Sequence, residues 1–521
     1  MPKYLSAIDK ASERLANIAL TTPLTLAPNL STRLGRSIFL KREDLQPVFS
    51  FKLRGAFNKM AALQESETAA VCANGFITAS AGNHAQGVAF AARTLGVKAT
   101  IVMPETTPEI KVAAVKQHGA EWVTVVLHGD NFSAALPYSQ ALAQELNQIY
   151  VHPYDDEAVI AGQGTIAKEL VEQLDHIDTI FIPVGGGGLL AGIAVYLKSV
   201  KPAIKIIGVE SEESACLKAA LTAITDPVLQ ANPRVILREI GIFADGVAVA
   251  QIGQEPFRIV KEFMSVDDVI TVSTDEICAA IKDIFEDTRT VAEPAGALSI
   301  AGLKKYAELY PKKKGHWVAI VSGANVNFDR LRHIAERTEL GEKREALLAV
   351  EIPEKPGSFL HFCELLGRRN ITEFNYRYAD DQKAHIFVGV QCHNRSLELQ
   401  PLLDLLRATG YSVTDLSDNE MAKLHVRYMV GGRAPEVGHE ELFRVQFPER
   451  PGALLDFLKK LGGRWNISLF HYRNHGAAYG RILMGLQVLP GGESVDTLRN
   501  LLEHYPCWEE NDNSAYELFL K

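Results

Sequence analysis

The chain of 521 residues is too long for a single hydrophobic core, and its length predicts two to four domains. With 47% hydrophobic and 22% charged residues, it has the composition of a soluble globular protein. The net charge of −9, with no long block of Lys and Arg, argues against nucleic acid as the main partner.

The sequence predicts a cytoplasmic protein without a membrane segment. Its first ten residues lack the apolar stretch of a signal peptide. The longest apolar run, 181–197, contains five glycines and falls short of the roughly 20 residues that a membrane-spanning helix needs. The six cysteines form no CxxC pair, so neither a zinc ribbon nor a disulfide framework is predicted, and a reducing compartment is expected.

Strand and helix patterns alternate over the first 335 residues. Helical patterns such as 85–95 and 165–174 separate most of the apolar, β-branched runs. Such alternation is typical of parallel strands joined by crossover helices, with both faces of the sheet covered. The sequence therefore predicts an α/β domain, large enough for two subdomains with a crevice between them. Its predicted strands are 75–80, 99–103, 122–127, 149–152, 179–184, 205–210, 269–272 and 317–322.

The rest of the chain contains an internal repeat. Residues 349–360 match 444–455, and 367–377 match 463–473, so the offset is 95 and then 96 residues. Each copy predicts a strand, a Pro-Gly turn, a helix, two strands, a helix and a final strand, which is the order of a ferredoxin-like α+β domain. The predicted boundaries are a domain at 1–335, a charged linker at 336–345, the first repeat at 346–430, a join at 431–440 and the second repeat at 441–521.

Lys52 lies between an extended segment at 38–43 and a helical pattern that opens at Arg54. Most lysines are surface cations, but three polar or glycine-rich turns accompany this one, each directly after a predicted strand. These turns begin at Ser80, Gly185 and Ser322. In an open α/β sheet, turns at the carboxyl ends of strands converge on one crevice. A lysine, a phosphate-binding turn and a small hydroxyl in one crevice are the groups that pyridoxal 5′-phosphate (PLP) requires.

The glycine-rich turn predicts a phosphate site, because glycines let the backbone approach an anion and the helix that follows offers unpaired N–H groups. An NAD site is one alternative, with Glu210 at the end of the next strand as the ribose-binding acid. The spacing of Gly185, Gly187 and Gly192 is not that of GxGxxG. Close backbone packing is a second alternative. The predicted phosphate-binding residues are Gly185, Gly186, Gly187, Gly188 and Leu189.

The turn after strand 75–80 offers N–H groups that can bind an amino-acid carboxylate. The alternative is a capping serine with a turn glycine. Asn83 can hydrogen-bond a hydroxyl of the cofactor ring. The predicted carboxylate-binding residues are Ser80, Ala81, Gly82, Asn83 and His84.

Two further residues bear on the cofactor ring. The Ser322 hydroxyl can donate to an unprotonated pyridine nitrogen, which suits elimination better than transamination, although a plain strand-end turn is the alternative. Glu293 either faces the ring or caps the helix that follows it. The 15 histidines show no HExxH or other ligand spacing, so no metal site is predicted.

Together these segments resemble the fold-type II PLP enzymes, and specifically the threonine dehydratases of isoleucine biosynthesis. The segment 41–56 is similar to that family's cofactor-lysine motif, and 80–84, 185–189, 293–295 and 322–325 are similar to its other motifs. The doubled C-terminal module resembles the family's ACT-like regulatory domains. Cysteine synthases, which are related, have a different lysine context, so β-replacement is less favoured than β-elimination.

The resemblance implies a two-subdomain catalytic domain followed by two ACT-like domains. It implies that Lys52 holds PLP covalently, beside Phe51, and that its freed amine removes the Cα proton of L-threonine to give 2-oxobutanoate and ammonia. It also implies a homotetramer. The resemblance further implies that isoleucine inhibits the enzyme and that valine relieves this inhibition, and Tyr376 and Tyr472 are the candidate effector contacts. The alternatives are a serine dehydratase, a β-replacement enzyme, a catalytically dead amino-acid sensor and an NAD-dependent dehydrogenase.

Some relatives of this family bind a divalent metal beside the residue that matches Glu210. Here Cys216 stands where those relatives have an aspartate. The resemblance therefore adds no metal to the prediction.

Overall fold

The computed structural model describes residues 2–66, 71–328, 330–377, 383–419, 422–423, 426–428, 434, 437–448, 452–473, 479–488 and 492–513. The chain divides into two units, Met1–Thr338 and Glu339–Lys521. The division falls in the segment predicted to be a linker, most of which is helical. Its Glu, Arg and Leu residues carry no strand pattern but are good helix formers. Much of the predicted join at 431–440 lies outside the described residues.

The helices and strands of the first unit follow in chain order. The helices are α1 (Pro2–Leu15), α2 (Pro28–Leu34), α3 (Lys52–Glu65), α4 (Asn83–Leu95), α5 (Glu109–Gly119), α6 (Phe132–Glu145), α7 (Glu157–Gln173), α8 (Gly188–Val200), α9 (Cys216–Ala223), α10 (Gln254–Val260), α11 (Thr274–Thr288), α12 (Pro294–Leu309) and α13 (Arg330–Gly341). The strands are β1 (Leu24–Leu26), β2 (Ser37–Arg42), β3 (Phe76–Ala79), β4 (Ala99–Met103), β5 (Val123–Leu127), β6 (Ile149–Tyr150), β7 (Thr179–Pro183), β8 (Lys205–Ser211), β9 (Val269–Val272) and β10 (His316–Val321).

These strands form two sheets, as expected for two subdomains. The larger has the order β1-β2-β10-β7-β8-β9 and the smaller the order β5-β4-β3-β6. All pairs are parallel except β1 with β2. Each of the eight predicted strands overlaps one of these strands, because β-branched apolar runs between helical patterns are what a buried parallel sheet demands.

Both faces of the larger sheet are buried. On β7, Ile180 and Ile182 pack into one hydrophobic cluster while Phe181 packs into another. On β10, Val318 likewise lies in the first cluster and Trp317 in the second. Because successive strand residues point to opposite faces, this arrangement accounts for strands that are apolar at nearly every position rather than at alternate ones.

The second unit contains the two repeats. Its elements are β11 (Glu345–Pro353), α14 (Ser358–Leu366), β12 (Ile371–Arg377), β13 (Lys383–Gln391), α15 (Arg395–Ala408) and β14 (Ser412–Asp415) in the first repeat, and β15 (Glu440–Pro448), α16 (Ala453–Leu461), β16 (Asn466–Arg473), β17 (Tyr479–Gln487), α17 (Val495–Leu502) and β18 (Cys507–Glu509) in the second. The predicted order of elements is confirmed in both copies.

The two repeats share one eight-stranded sheet of order β14-β11-β13-β12-β16-β17-β15-β18. Within each repeat the strands are ordered 4-1-3-2, the ferredoxin-like arrangement. The copies meet where β12 pairs antiparallel with β16, with Phe374 opposite Tyr472 and Tyr376 opposite Phe470. Since Phe374 corresponds to Phe470 and Tyr376 to Tyr472 in the repeat, this pairing relates the copies by an approximate twofold axis.

No helix in the described part of the chain combines the length and apolarity needed to cross a membrane.

Candidate active site

Lys52 is the first residue of α3, and backbone hydrogen bonds fix its position beside the end of β10. The N–H of Phe51 donates to the carbonyl of Ser322 (3.2 Å), and the N–H of Ala324 donates to the carbonyl of Phe49 (2.9 Å). These bonds hold the segment before α3 against the turn that follows β10. The lysine and the Ser322 hydroxyl predicted to share a crevice therefore do lie together.

The amine of Lys52 is held ready for chemistry. Its Nζ donates to the backbone carbonyl of Pro153 (2.9 Å). Burial lowers the pKa of Lys52 to about 8, and the carboxylate of Glu293 partly opposes that shift. A lysine with a pKa of about 8 is roughly one-tenth neutral at pH 7, far more than an exposed lysine, and only the neutral amine is a nucleophile or a base.

The glycine turn connects β7 to α8, as predicted. The carbonyl of Gly186 accepts from Gly253 N–H (3.1 Å) and that of Gly187 from Ala191 N–H (2.9 Å). Those carbonyls are therefore engaged elsewhere, while the first N–H groups of α8 have no partner within the helix. Gly187 has φ of 89°, a conformation that a side chain would strain.

Close packing also acts at this turn. A Cβ on Gly186 would lie 2.2 Å from the Tyr154 ring, and one on Gly185 would lie 2.8 Å from Val247 Cα. The glycines therefore have two roles. They allow close packing against neighbouring backbone and ring atoms, and they keep the N-terminus of α8 accessible to an anion.

Glu293 faces the crevice rather than capping α12. It precedes α12, but its side chain makes no capping bond to that helix. Instead its Oε1 accepts from Asn83 Nδ2 (2.5 Å), and Asn83 Oδ1 accepts from Asn325 Nδ2 (2.7 Å). Burial, with the nearby Asp245 carboxylate, raises the pKa of Glu293 to about 7. The three side chains form a polar row that orients Asn83 in the crevice.

The turn predicted to bind a carboxylate is only partly available for that role. Ser80 N–H donates to the carbonyl of Val102 (3.1 Å), and Gly82 N–H donates to Ser80 Oγ (3.3 Å). The His84 ring is buried, with Nε2 against the carbonyl of Val151 (2.9 Å), and burial lowers its pKa to about 3. The His84 side chain is thus structural, because α4 turns it away from the turn; the N–H groups of the first turn of α4 remain for an anion.

These groups line one cavity. Sequence analysis did not assign several of the residues that line it, because their contact with the site depends on the fold; Pro183 and Ala295 lie in segments that it did single out, but without a role. The predicted residues that line it are Phe51, Lys52, Asn83, Gly185, Gly186, Gly187, Gly188, Leu189 and Ser322. Glu293, for which the sequence left two roles open, also lines it, and the residues without a predicted role are Pro153, Tyr154, Gln163, Pro183, Gly246, Val247 and Ala295.

The cavity suits PLP. The buried amine of Lys52 stands beside a helix terminus whose first N–H groups have no partner within the helix. The small hydroxyl of Ser322 lines the same cavity. Ser322 Oγ is itself buried and donates to the carbonyl of Ala295 (3.2 Å), so it is held in place on β10's turn. The residues that would hold the cofactor are Lys52 for its aldehyde carbon, the turn 185–189 for its phosphate, and Asn83 and Ser322 for its ring.

Glu210 serves the fold and not a nucleotide. Its carboxylate accepts from the backbone N–H groups of Leu217 (2.7 Å) and Lys218 (2.9 Å) at the start of α9. Burial raises its pKa to about 7. With both oxygens committed to a helix terminus, Glu210 is not placed to bind a ribose, which removes the main support for the NAD alternative. Among the described residues, no group of three or more His, Cys, Asp and Glu side chains is arranged to hold a metal.

The two tyrosines predicted as effector contacts lie inside the second unit. Tyr376 and Tyr472 are 3% and 1% exposed and share the hydrophobic core with Phe374 and Phe470. The Tyr376 hydroxyl donates to Glu354. Residues two apart on a strand share a face, so the tyrosines are buried with the phenylalanines. Both tyrosines are therefore part of the core of this unit, and their role as effector contacts stays a prediction.

The lysine, the glycine turn and the strand-end hydroxyl define a PLP-dependent enzyme, and residues 16–323 match the family model of the pyridoxal-phosphate dependent enzymes. Residues 336–426 and 431–520 match the C-terminal regulatory domain of threonine dehydratase. The chain belongs to the threonine dehydratase family.

Relatives support this assignment over the whole chain. The chain is 54% identical over 518 residues to the L-threonine dehydratase biosynthetic IlvA of Escherichia coli, covering 99% of this chain and 97% of the relative. It is 53% identical over 519 residues to the protein of the same name from Burkholderia multivorans, covering 99% of each. The structure of the processed form of threonine deaminase isoform 2 from Solanum lycopersicum superposes with a TM-score of 0.59 at 44% identity, covering 64% of this chain and 92% of that one.

Proposed function

We propose that this protein converts L-threonine to 2-oxobutanoate and ammonia by β-elimination, as the first step of isoleucine biosynthesis. The observation that carries the proposal is the amine of Lys52. Its pKa is lowered to about 8 inside a cavity that also contains the glycine turn, Asn83 and Ser322. Relatives about half identical over the full chain carry the name threonine dehydratase.

Lys52 is the proton acceptor of the reaction. PLP, when bound, withdraws electrons from the Cα of an amino acid and so acidifies its proton. Once its amine is free, Lys52 takes that proton in its neutral form, which burial favours. The carbonyl of Pro153, 2.9 Å from Nζ, gives the resulting ammonium a hydrogen-bond acceptor.

The N-terminus of α4 holds the substrate carboxylate. Its first-turn N–H groups lack partners within the helix, and its positive dipole end favours an anion. Gly82 leaves open space there, since a Cβ on this residue would meet nothing within 4 Å. The carboxylate is thereby placed on the wall that also carries Asn83.

The remaining steps need no reagent other than water, since the elimination releases one water molecule and the hydrolysis of the imine consumes one. The Cβ–O bond breaks and the hydroxyl leaves as water after taking one proton. The product, 2-aminobut-2-enoate, tautomerises to an imine, which adds water and releases ammonia to give 2-oxobutanoate. Ser322 would favour this course over transamination if its single proton turned from the Ala295 carbonyl, which accepts it here (3.2 Å), to an unprotonated pyridine nitrogen.

The second unit is the regulatory part of the enzyme in this proposal. Residues 336–426 and 431–520 match a regulatory domain, and isoleucine as inhibitor with valine as its antagonist fits a biosynthetic enzyme at the start of that pathway. Such control requires an effector with different affinities for two states of the enzyme. We further propose a cytoplasmic homotetramer, whose mass in solution would be four times the chain mass of 57.2 kDa.

The deciding experiment is 2-oxo acid formation from L-threonine by the purified holoenzyme, with and without L-isoleucine. Turnover that isoleucine suppresses is the expected result. Turnover that isoleucine leaves unchanged would remove the effector from the proposal and keep the reaction. Turnover of L-serine alone, or of a β-replacement substrate alone, would replace the reaction.

A further inference from the structure

Gln163 lines the catalytic cavity, and the proposed reaction gives it no role. It lies on α7 and is 1% exposed. Its Oε1 has no hydrogen-bond partner among the described residues. Buried polar groups are normally hydrogen-bonded, and rotation of the terminal amide lets Gln163 offer either its oxygen or its two N–H donors. A guest of the cavity is therefore expected to bind this side chain.

The Gln163 side chain lies between the first turns of two helices. A Cβ on Gly55 would lie 2.3 Å from Gln163 Nε2, so the amide contacts the first turn of α3. The next residue, Gly164, packs against α8, since a Cβ on Gly192 would lie 2.7 Å from the Gly164 nitrogen. Gly192 is one turn after Gly188, the first residue of α8. The amide therefore lies between the helix start that carries the cofactor lysine and the one that follows the glycine turn.

That position corresponds to the phosphate arm of PLP. The aldehyde and the phosphate-bearing methylene occupy neighbouring carbons of the pyridine ring, so a group between Lys52 and the turn 185–189 faces this arm. Lys52 is the only Lys or Arg among the described residues that line the cavity, and its amine is taken by the aldehyde. The side chains of Asn83 and Ser322 already donate to other groups. The phosphate therefore has to rely on neutral donors, and the Gln163 amide can be one of them.

We propose that Gln163 is a cofactor-binding residue whose side-chain N–H donates to the phosphate of PLP. A hydrogen bond to a charged acceptor is stronger than one between neutral groups, so this contact contributes to affinity as well as to placement. The inference rests on the proposed position of the phosphate at the turn 185–189. It holds whichever amino acid the enzyme eliminates.

The test compares PLP with pyridoxal, which has the same ring and aldehyde but no phosphate. Gln163→Met keeps the length of the side chain and loses the amide. The full-length apoenzyme of this variant should bind PLP about tenfold or more weakly than the parent protein, the usual worth of a hydrogen bond to a charged group. Its affinity for pyridoxal should equal that of the parent protein. Titrations of the apoenzyme followed by visible absorption measure both affinities.

Gln64→Met is the matched control. Gln64 is exposed near the end of α3 and does not line the cavity, so both affinities should be unchanged. Phosphorus-31 NMR provides a second readout, because the resonance of bound PLP should move in Gln163→Met and stay in place in Gln64→Met. Circular dichroism of each apoenzyme shows whether it is folded. Gln163→Leu, a second apolar variant, should reproduce the selective loss of PLP affinity.

The outcomes separate this inference from the proposed function. An equal loss of PLP and pyridoxal affinity would overturn the phosphate contact and place the amide at the ring or the lysine. Unchanged affinity for both molecules in both Gln163 variants would remove Gln163 from the cofactor site. A selective loss of PLP affinity would support the contact even if the holoenzyme failed to turn over L-threonine.

Discussion

The Lys52 side chain carries the chemistry of the proposed reaction, so its removal is the first prediction. In Lys52→Ala, turnover of L-threonine should fall by more than about 10³-fold, since both the covalent attachment and the proton acceptor are lost. The visible absorption of the lysine-bound cofactor should vanish as well. Steady-state kinetics and an absorption spectrum measure the two effects.

Lys59→Ala on the same helix is the matched control for this prediction. Lys59 pairs with Asp156 (2.7 Å) outside the cavity. The Lys59→Ala enzyme should therefore keep both the cofactor absorption band and its activity. Near-normal turnover by Lys52→Ala would rule out the assigned role.

A pH dependence follows from the same amine. Only neutral Lys52 can capture PLP, and burial lowers its pKa to about 8. The rate at which the apoenzyme takes up PLP should therefore rise with pH through about 8. Glu293 opposes the lowered pKa, so Glu293→Gln should move the midpoint to lower pH. Stopped-flow absorption across pH measures this shift; a midpoint that rises in the variant would contradict the electrostatic assignment.

Among the structural elements, the turn between β7 and α8 can bind the cofactor phosphate in the proposed way only if its residues lack side chains. A Cβ in Gly186→Ala would lie 2.2 Å from the ring of Tyr154, which must then shift within the cavity. We expect PLP affinity to fall by about tenfold or more, corresponding to roughly 1.4 kcal/mol, while the protein stays folded. Titration of the apoenzyme with PLP gives the affinity.

Gly438→Ala is the control for this substitution. A Cβ at Gly438 would meet nothing within 4 Å, so the PLP affinity should be unchanged. Equal PLP affinities in the two variants would show that the Tyr154 ring can move aside without weakening PLP binding.

A buried ionic network joins α3 to α7. Arg54 pairs with Glu43 (2.8 Å) and Glu169 (2.5 Å), and Lys41 also pairs with Glu169 (2.5 Å). Arg54→Met leaves the buried carboxylate of Glu43 and the partly buried carboxylate of Glu169 without that partner, which should lower the free energy of unfolding by about 3–5 kcal/mol. Urea denaturation of the holoenzyme measures the loss.

The exposed pair of Arg258 and Glu255 (2.6 Å) provides the comparison for that network. Arg258→Met should lower the free energy of unfolding by no more than about 1 kcal/mol, because solvent screens the pair. A loss of similar size in both variants would mean that burial does not set the strength of these ion pairs.

At the scale of the whole molecule, the division into two units predicts separable functions. A chain that ends at Arg344, after α13 and before β11, keeps every residue that lines the catalytic cavity. It should convert L-threonine but lose inhibition by L-isoleucine. Assays of 2-oxo acid against isoleucine concentration compare it with the full chain. A truncated chain that isoleucine still inhibits would place the effector site in the first unit.

Local sequence patterns were enough to predict the two-part organisation, the parallel-sheet class, the doubled ferredoxin-like order and the glycine, lysine and hydroxyl turns of the candidate site. These features can be recognised from the sequence alone. Strand and helix periodicity and turn chemistry depend on neighbouring residues, and the internal repeat is found by comparing segments of the chain. That is why Lys52, Asn83, Gly186 and Ser322 could be named before the fold was known.

Which of those groups meet, and in which direction their side chains point, became clear only from the packing of the folded chain. It turned Glu293 towards Asn83, committed Glu210 to a helix terminus and buried His84, Tyr376 and Tyr472. It also brought Tyr154 over the glycine turn. Such contacts join residues far apart in the chain, and side-chain direction depends on packing that no local pattern contains.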